Sequence, residues 1–413
     1  MISRKLQPAA FKRTGSLVPA IGVMLLIIGA AMALVLDRLW IDSAQVELRT
    51  AAEAAVLSAG HKLLDDQTLI KRTSKAENAF ELILQMQARM AASEIGSQNL
   101  VAGNQLLLDP TPEGDIRFGK IVLNTVNNLP MFLETASHPN SILVTASRLR
   151  KHGNPVAVLF QELIGTTAAD AVDIAEATID DRPIGFKPLP QQNIPALPIA
   201  ILGDDALAIV DQSWKTMIED GAGLDLFSYD ETKKCVVKKP DGIPEMLLDA
   251  NFHPGDDDDK KIFNVVLLDF NSGCKTKTID RQIRNGLTEI DLKQFDGQID
   301  FQKKKRTVNG KTELPESLLK SFADVIGQQR IVFLFDQLAP VSTDESEDQQ
   351  VDLARPAAVR IMAVRVEGNG EIQLVVQPTV MTSRTTLMHT SPTWSNDGLK
   401  YKNRYVKKLY LSQ

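Results

Sequence analysis

An uncharged apolar stretch near the N-terminus limits what this chain can be more than any other feature. Residues 16–36, SLVPAIGVMLLIIGAAMALVL, contain no charged side chain. A helix of this length rises about 30 Å, the thickness of the hydrocarbon core of a bilayer. Pro19 falls in its first turn, where a missing N–H costs least. The stretch therefore predicts a transmembrane helix at 16–36.

The charges on the two sides of this helix predict its orientation. Residues 1–15 carry four cations and no acid, whereas the acids Asp37 and Asp42 follow the apolar run. Because cytoplasmic flanks of membrane helices are enriched in Lys and Arg, the N-terminus is expected in the cytoplasm. A signal peptide cleaved after residues 31–33, Ala-Met-Ala, is the alternative, but the apolar run continues through Leu36, which favours a retained anchor. Both alternatives export the rest of the chain.

Composition and charge indicate a globular exported region and disfavour a nucleic-acid role. The 413 residues are 44% hydrophobic and 24% charged, an ordinary balance for one large or two medium cores. The formal net charge is −6, and leaving out the four N-terminal cations makes it −10. Binding to nucleic acid needs the opposite sign.

Two cysteines, Cys235 and Cys274, lie in the exported region. They could form a disulfide in an oxidising compartment or remain two buried thiols, and the sequence leaves both alternatives open. Neither has another Cys or a His at the spacing of a zinc site. The sequence also has no nucleophile elbow, phosphate loop or dinucleotide fingerprint. We therefore expect no metal site, no cofactor and no enzymatic activity.

The residues after Asp37 predict a helix that continues out of the membrane, followed by a second helix at about 69–95. Apolar residues of the first helix recur every three or four positions and form one stripe: Ile41, Ala44, Leu48, Ala52, Ala55, Ala59 and Leu63. Small side chains allow close approach, so the stripe is interpreted as a packing face, either within the chain or as a partner-binding surface for another protein or a second copy. The second helix is expected to fold back on the first with Phe80, Leu84 and Met90 inward.

Beyond these helices the hydrophobic period changes to that of strands. Strands are predicted at 115–123, 140–149 and 171–179, with a helix at 155–165 before the last of them. Five prolines within 183–198 indicate a domain boundary. The predicted fold class is therefore α+β: an N-terminal transmembrane helix continuing into an amphipathic helix, then a mixed α+β periplasmic region.

The part after the prolines is expected to form a second α+β domain. Its predicted elements are helices at 204–218, 279–285 and 315–326 and strands at 234–237, 262–270, 330–337, 358–368 and 371–380. The predicted organisation is a basic N-terminus at 1–15, a transmembrane helix at 16–36, a helical segment at 37–98, an α+β domain at 99–182, a Pro-rich linker at 183–200, a second α+β domain at 201–390 and a basic, aromatic tail at 391–413.

Charged segments elsewhere are interpreted mainly as exposed surface. Four aspartates at 256–259 and the cations at 303–306 are typical of solvated loops. The C-terminal tail places Tyr401, Tyr405 and Tyr410 among five cations. It could bind an acidic partner, but a final strand packed by its aromatic side chains, with lysines outside, is favoured.

The N-terminal segment also resembles a known family. The residues that carry the resemblance are Lys12-Arg13-Thr14-Gly15-Ser16, an apolar span closed by Asp37-Arg38, Trp40, Gln45, Ala51-Ala52-Glu53-Ala54-Ala55 and Ala59. This order resembles the TadG-like (TadE/TadG-like) proteins of the Flp, or tight-adherence, pilus system of bacteria, although that family more often has Asp at the position of Glu53. Thinner similarity follows at 114–120 and 182–186.

The resemblance implies a single-pass protein of the bacterial inner membrane with most of the chain in the periplasm. It would act with other pilus-assembly proteins, without catalysis or a cofactor. Pilin-type cleavage after Gly15 would need a glutamate at Ala20, and the metal motif that some members carry has lost both serines in its nearest match, after Asp269. An exported hydrolase or ligand-binding protein with a similar anchor is the alternative function.

Overall fold

The computed structural model combines a long N-terminal helix, a second helix and two large β-sheets. It describes residues 17–123, 127, 129–204, 212–249, 263–270, 273–303, 307–336, 348–366, 370–389 and 402–412. The fold is mixed α+β, as the sequence predicts.

The first helix, α1 (Leu17–Lys62), is a single unbroken element of 46 residues. Up to Leu36 nearly all of its side chains are exposed, and from Asp37 onward one face is buried. Among the described residues it is the helix long and apolar enough to cross a membrane. The predicted continuation of the apolar helix into a second, packed half is confirmed.

The second helix, α2 (Ser74–Gln98), runs antiparallel to α1, because Ala102, just after α2, donates its backbone N–H to Glu47, which lies earlier in α1 than Ser58, the residue that bonds to α2 itself. The Ser58 hydroxyl of α1 donates to the carbonyl of Ala91 at 3.4 Å. Leu84 is buried as predicted and Phe80 is half-buried, but Met90 is 60% exposed, so its inward placement was wrong. At 100° per residue, Met90 points away from the face that Leu84 occupies.

Strands and short helices make up most of the remaining described chain. Before residue 183 the strands are β1 (Leu100–Val101), β2 (Asn104–Gln105), β3 (Ile116–Leu123), β4 (Pro130–Glu134), β5 (Ser141–Arg148), β6 (Val156–Ala157), β7 (Ala168–Ala169) and β8 (Ala171–Asp180). Later strands are β9 (Pro183–Phe186), β10 (Ala196–Leu202), β11 (Ser228–Asp230), β12 (Cys235–Val237), β13 (Met246–Leu248), β14 (Val265–Asp269), β15 (Ile299–Asp300), β16 (Thr307–Lys311), β17 (Gln329–Phe335), β18 (Asp348–Asp352), β19 (Arg355–Val366), β20 (Ile372–Pro378), β21 (Met381–Thr382), β22 (Thr386–Met388) and β23 (Val406–Ser412). The shorter helices are α3 (Gln161–Ile164), α4 (Thr276–Asn285) and α5 (Leu319–Ala323), with single helical turns at Asp66–Leu69, Arg150–His152, Lys215–Glu219, Lys293–Phe295 and Glu316–Leu318.

A six-stranded sheet, in the order β21-β23-β8-β5-β3-β4, lies against the helix pair. Its three predicted strands, β3, β5 and β8, form its centre. The last strand, β23, pairs antiparallel with β8, so that Lys408 lies opposite Asp180 and Ser412 opposite Glu176. The first sheet is therefore completed by the end of the chain rather than by residues 99–182 alone.

An eight-stranded sheet, in the order β13-β20-β19-β17-β10-β14-β16-β18, forms the core of the second half. Its strands are antiparallel except for the β10–β17 pair. The proline-rich segment 183–200 is folded rather than a free linker, because it contains most of β10 and also β9, which pairs with β15 and β22 in a three-stranded sheet. The β10–β17 register shifts between Ala196 and Ala200, a stretch that contains Pro198. A proline cannot donate to the ladder there.

The turn after α1 joins the helix pair to the second half. The Asp66 carboxylate accepts hydrogen bonds from the backbone N–H of Val380 at 2.6 Å and the hydroxyl of Thr379 at 2.7 Å. Arg360, only 8% exposed, lies 3.4 Å from the same carboxylate. Leu69 is buried in the core of the second half. Residues that follow the long helix thus help to hold the larger sheet.

Several predicted features lie wholly or partly outside the described residues. These are the basic N-terminus at 1–15 with Ser16, the aspartates at 256–259, the cations at 304–306, residues 391–401 of the tail with Tyr401, residues 205–211 of the helix predicted at 204–218, and the strand ends at 262, 337 and 367–368. Of that helix, the structure describes the turn Lys215–Glu219. The tail forms β23, with Tyr405 buried and Tyr410 more exposed.

Candidate functional site

The boundary between the exposed and packed halves of α1 is fixed by a buried carboxylate. Asp37 is 2% exposed. One of its oxygens accepts the backbone N–H of Leu159 at 2.7 Å, and both accept that of Phe160, at 3.3 and 3.2 Å. An ionised acceptor strengthens such bonds, so the loop before α3 is held firmly on the helix.

One turn further along α1, the indole Nε1–H of Trp40 donates to the carbonyl of Ala157 at 3.0 Å. These contacts explain why the helix predicted at 155–165 was largely wrong. Val156–Ala157 pairs with β7, and the next amides bond to α1, so only Gln161–Ile164 is helical. Distant partners have taken the backbone groups that a helix would need.

A cleft of about 720 Å³ lies between α2, β3, β8 and β23. Its wall is largely apolar, with Leu63 from just after α1, Phe80 and Leu84 from α2, and Ile121 and Ile179 from the sheet. This size suits a small molecule. The cleft is therefore a concave candidate for ligand binding in the described part of the chain.

Polar groups converge on the cleft from separate segments. Asn140 and Asp181 each present a buried side-chain oxygen, Oδ1, that has no hydrogen-bond partner among the described residues. Three lysines, Lys120, Lys402 and Lys407, line the same space. Acceptor oxygens beside ammonium groups favour a ligand that carries hydroxyl or amide donors together with negative charge.

Burial shifts the pKa values of two groups in this cluster, Asp181 and Lys407. It raises the pKa of the Asp181 carboxyl, and the positive charges of Lys407 and Lys402 oppose that rise. Burial also lowers the pKa of the Lys407 ammonium, and Asp181 opposes that fall. Both charges are thus costly to keep at these buried positions. An anionic ligand beside Lys407 would favour its charged form.

At the cleft mouth, Glu81 of α2 holds the segment before β5. Its carboxylate accepts the backbone N–H of His138, and the imidazole Nδ1 lies 3.4 Å from the same oxygen. Among the described residues that line the cleft there is no serine or cysteine. The rim of the cleft is polar at this point.

The structure places the alanine stripe inside the chain. Ala44, Leu48, Ala52, Ala55 and Ala59 are buried where α1 meets α2 and the first sheet. Ile41 is half-buried. The buried side chains of the stripe pack within the chain, as the intramolecular alternative predicts.

Cys235 and Cys274 are thiols in the structure and not a disulfide. Cys235 is exposed and Cys274 is half-buried, so they are not the two buried thiols of the second alternative either.

Within the described ranges no group of three or more His, Cys, Asp or Glu side chains could hold a metal ion. Near the altered metal motif, Asp269 accepts the backbone N–H of Gly273 at 2.9 Å.

A buried acid in the second half gives a testable pH dependence. Glu245 accepts the backbone N–H groups of Leu226 and Phe227 at 3.1 and 2.7 Å, and burial raises its pKa to about 6. Because this folded-state pKa exceeds that of the unfolded chain, the stabilisation from Glu245 is complete below about pH 4.5. It is lost as the pH rises through about 6, at a cost of up to about 2 kcal/mol.

Glu245→Gln should flatten this part of the pH dependence. The unfolding temperatures of the wild type and of Glu245→Gln are measured on the detergent-solubilised full chain between pH 4.5 and 7. The difference between these two temperatures should change with pH. Parallel curves would contradict the assignment.

Comparison of the chain with protein-family models, curated proteins and solved structures gave no match.

Proposed function

We propose that this protein is a membrane-anchored structural component of tight-adherence pilus assembly, of the TadG-like kind, with most of its chain in the periplasm. The N-terminal resemblance supplies the pilus system, and the charges around the apolar segment supply the orientation. The protein acts by holding other assembly proteins in place and carries out no reaction itself.

The continuity of α1 is the observation that carries the structural part of this proposal. The helix runs from the apolar segment into the core of the globular part without a break. A flexible linker would only tether a domain to the membrane, whereas a continuous helix sets its height and direction. Such a rigid connection suits a protein that positions partners.

Piliation of the native bacterium tests the proposal. Deletion of the gene should abolish surface pili, and the full chain should restore them. A matched variant with a flexible Gly-Ser insertion after Ser43, inside α1, should reach the membrane but restore few pili, because the rigid connection is lost. Normal piliation in the deletion strain would overturn the proposal.

The cleft favours a second candidate function, that of an exported ligand-binding protein. It rests on the two unpaired oxygens of Asn140 and Asp181 and on the three surrounding lysines. The fitting ligand class is a small anionic molecule with hydroxyl groups, such as a phosphorylated polyol.

Substitution of Lys407 tests this second function. Phosphorylated polyols should raise the unfolding temperature of the wild-type chain, and Lys407→Met should reduce the shift because the ligand loses one of its three cations. Lys408→Met is the matched control, since Lys408 lies on the opposite face of β23 and donates to the carbonyl of Thr386 at 3.1 Å. Equal shifts in all three proteins would exclude the cleft as the binding site.

A further inference from the structure

The loop at Leu159 and Phe160 lies where the apolar segment of α1 ends. Asp37, which accepts both backbone amides, is the first charged residue after that segment. A helical side chain lies over the turn that precedes its own Cα. The Asp37 carboxylate and the loop bound to it are therefore level with the last apolar turn of α1.

Burial along α1 places the contact even closer to the apolar segment. Ala33 is 3% exposed and Ala30 is half-buried, and both lie on the same face of the helix as Asp37. Met32 and Val35, on the other faces, are each more than half exposed. Because α3 contacts α1, the loop region covers a face that extends about 10 Å into the apolar segment.

The two side chains at the tip of this loop are apolar and open. Leu159 is 56% exposed and Phe160 is 37% exposed, although their backbone amides are bound to Asp37. The indole of Trp40, half-buried beside the loop, occupies the level where aromatic residues of membrane proteins concentrate. Apolar side chains at this level are suited to the boundary between headgroups and acyl chains.

We propose that Leu159 and Phe160 insert into the interfacial layer of the same bilayer that α1 crosses. This inference rests on the proposed membrane anchoring and extends it. The continuous helix α1 alone sets the height and direction of the globular part but still allows it to rotate about the helix axis. A second point of contact beside the helix fixes which face of the six-stranded sheet and which side of α2 are presented to partners.

Site-directed spin labelling in phospholipid vesicles tests the proposal on the full chain. In a background of Cys235→Ser and Cys274→Ser, single labels are placed at Leu159→Cys and Phe160→Cys. Collisions with dissolved oxygen report the membrane interior, and collisions with a water-soluble nickel chelate report the aqueous phase. Both loop labels should have nickel accessibility several-fold below that of an exposed site far from the membrane.

Leu82→Cys supplies that distant site, since Leu82 is 61% exposed and apolar. Ser58 lies about 32 Å along α1 from Asp37, and Ala91 of α2 lies opposite Ser58. Leu82 is further along α2 in the same direction, and so still further from Asp37. Ile27→Cys, within the apolar segment, reports whether α1 itself is inserted. Loop labels with the nickel accessibility of the Leu82 label, while the Ile27 label is in lipid, would overturn this proposal and leave the anchoring intact.

Two other outcomes would also overturn the proposal. Loop labels that are immobile and shielded from both reagents would indicate a protein partner instead of lipid. An Ile27 label exposed to nickel would show that α1 is not inserted in the bilayer.

Asp37→Ala should release the loop and raise nickel accessibility at the Leu159 label. Asp42→Ala should leave that accessibility unchanged, because among the described residues Asp42 pairs only with Arg38, on the exposed side of α1.

Discussion

The double substitution Ala52→Leu and Ala55→Leu is expected to lower the free energy of unfolding by about 4 kcal/mol, at about 1–3 kcal/mol for each overpacked site. Both alanines are fully buried where α1 packs against α2 and the strands of the first sheet. Each leucine adds three carbons to a core with no room for them, so the helix must move away from the sheet. The unfolding temperature of the solubilised full chain measures the effect.

Ala79→Leu is the matched control, because Ala79 is exposed on α2 and the same carbons are added in solvent. Its unfolding temperature should equal that of the wild type.

Chemical cross-linking distinguishes the two interpretations of the stripe, as a packing face within the chain or as a surface for self-association. A double variant that unfolds at the wild-type temperature but loses self-association would show that the stripe is an intermolecular surface, and would contradict its packing inside the chain.

Helices with a strong period were the most predictable part of this fold. The stripe from Ala44 to Ala59 repeats over four turns, and such a pattern has few alternatives. The pattern specified that one face is buried, but not what buries it. The alanines suit a helix partner and a sheet equally, and the structure uses both.

Long-range pairing was beyond sequence reasoning. The strand β23 was predicted as a final strand, but its partner β8 lies more than 200 residues earlier, and no local signal specifies that partner. The same pairing makes residues 99–182 an incomplete unit. It also brings Lys407 to the cleft beside Asp181, which explains why the candidate binding site was missed: its residues come from separate segments that share no motif.

Local patterns failed where a distant group competed for the backbone. The stretch 155–165 has helical composition, yet the carboxylate of Asp37 takes the amides of Leu159 and Phe160. The prolines within 183–198 are typical of a linker, yet a register shift accommodates Pro198 within β10. In both places tertiary contacts override local preference.

Asp66→Ala is expected to lower the free energy of unfolding by about 3 kcal/mol, because it leaves buried donors unpaired in a network of charged hydrogen bonds. The Asp66 carboxylate accepts from Val380 and Thr379 and faces Arg360, whose guanidinium also stacks 4.0 Å from the ring of Tyr229. Burial raises the pKa of Asp66, so the carboxylate already costs some stability at neutral pH, yet alanine replaces neither of the acceptor oxygens that are lost.

Asp66→Asn should lose less free energy of unfolding than Asp66→Ala, since its amide oxygen can still accept from Val380. Lys71→Ala, a nearby exposed residue in a long surface ion pair, should unfold like the wild type. If Asp66→Ala also unfolded like the wild type, the turn after α1 would not be what joins α1 to the second half.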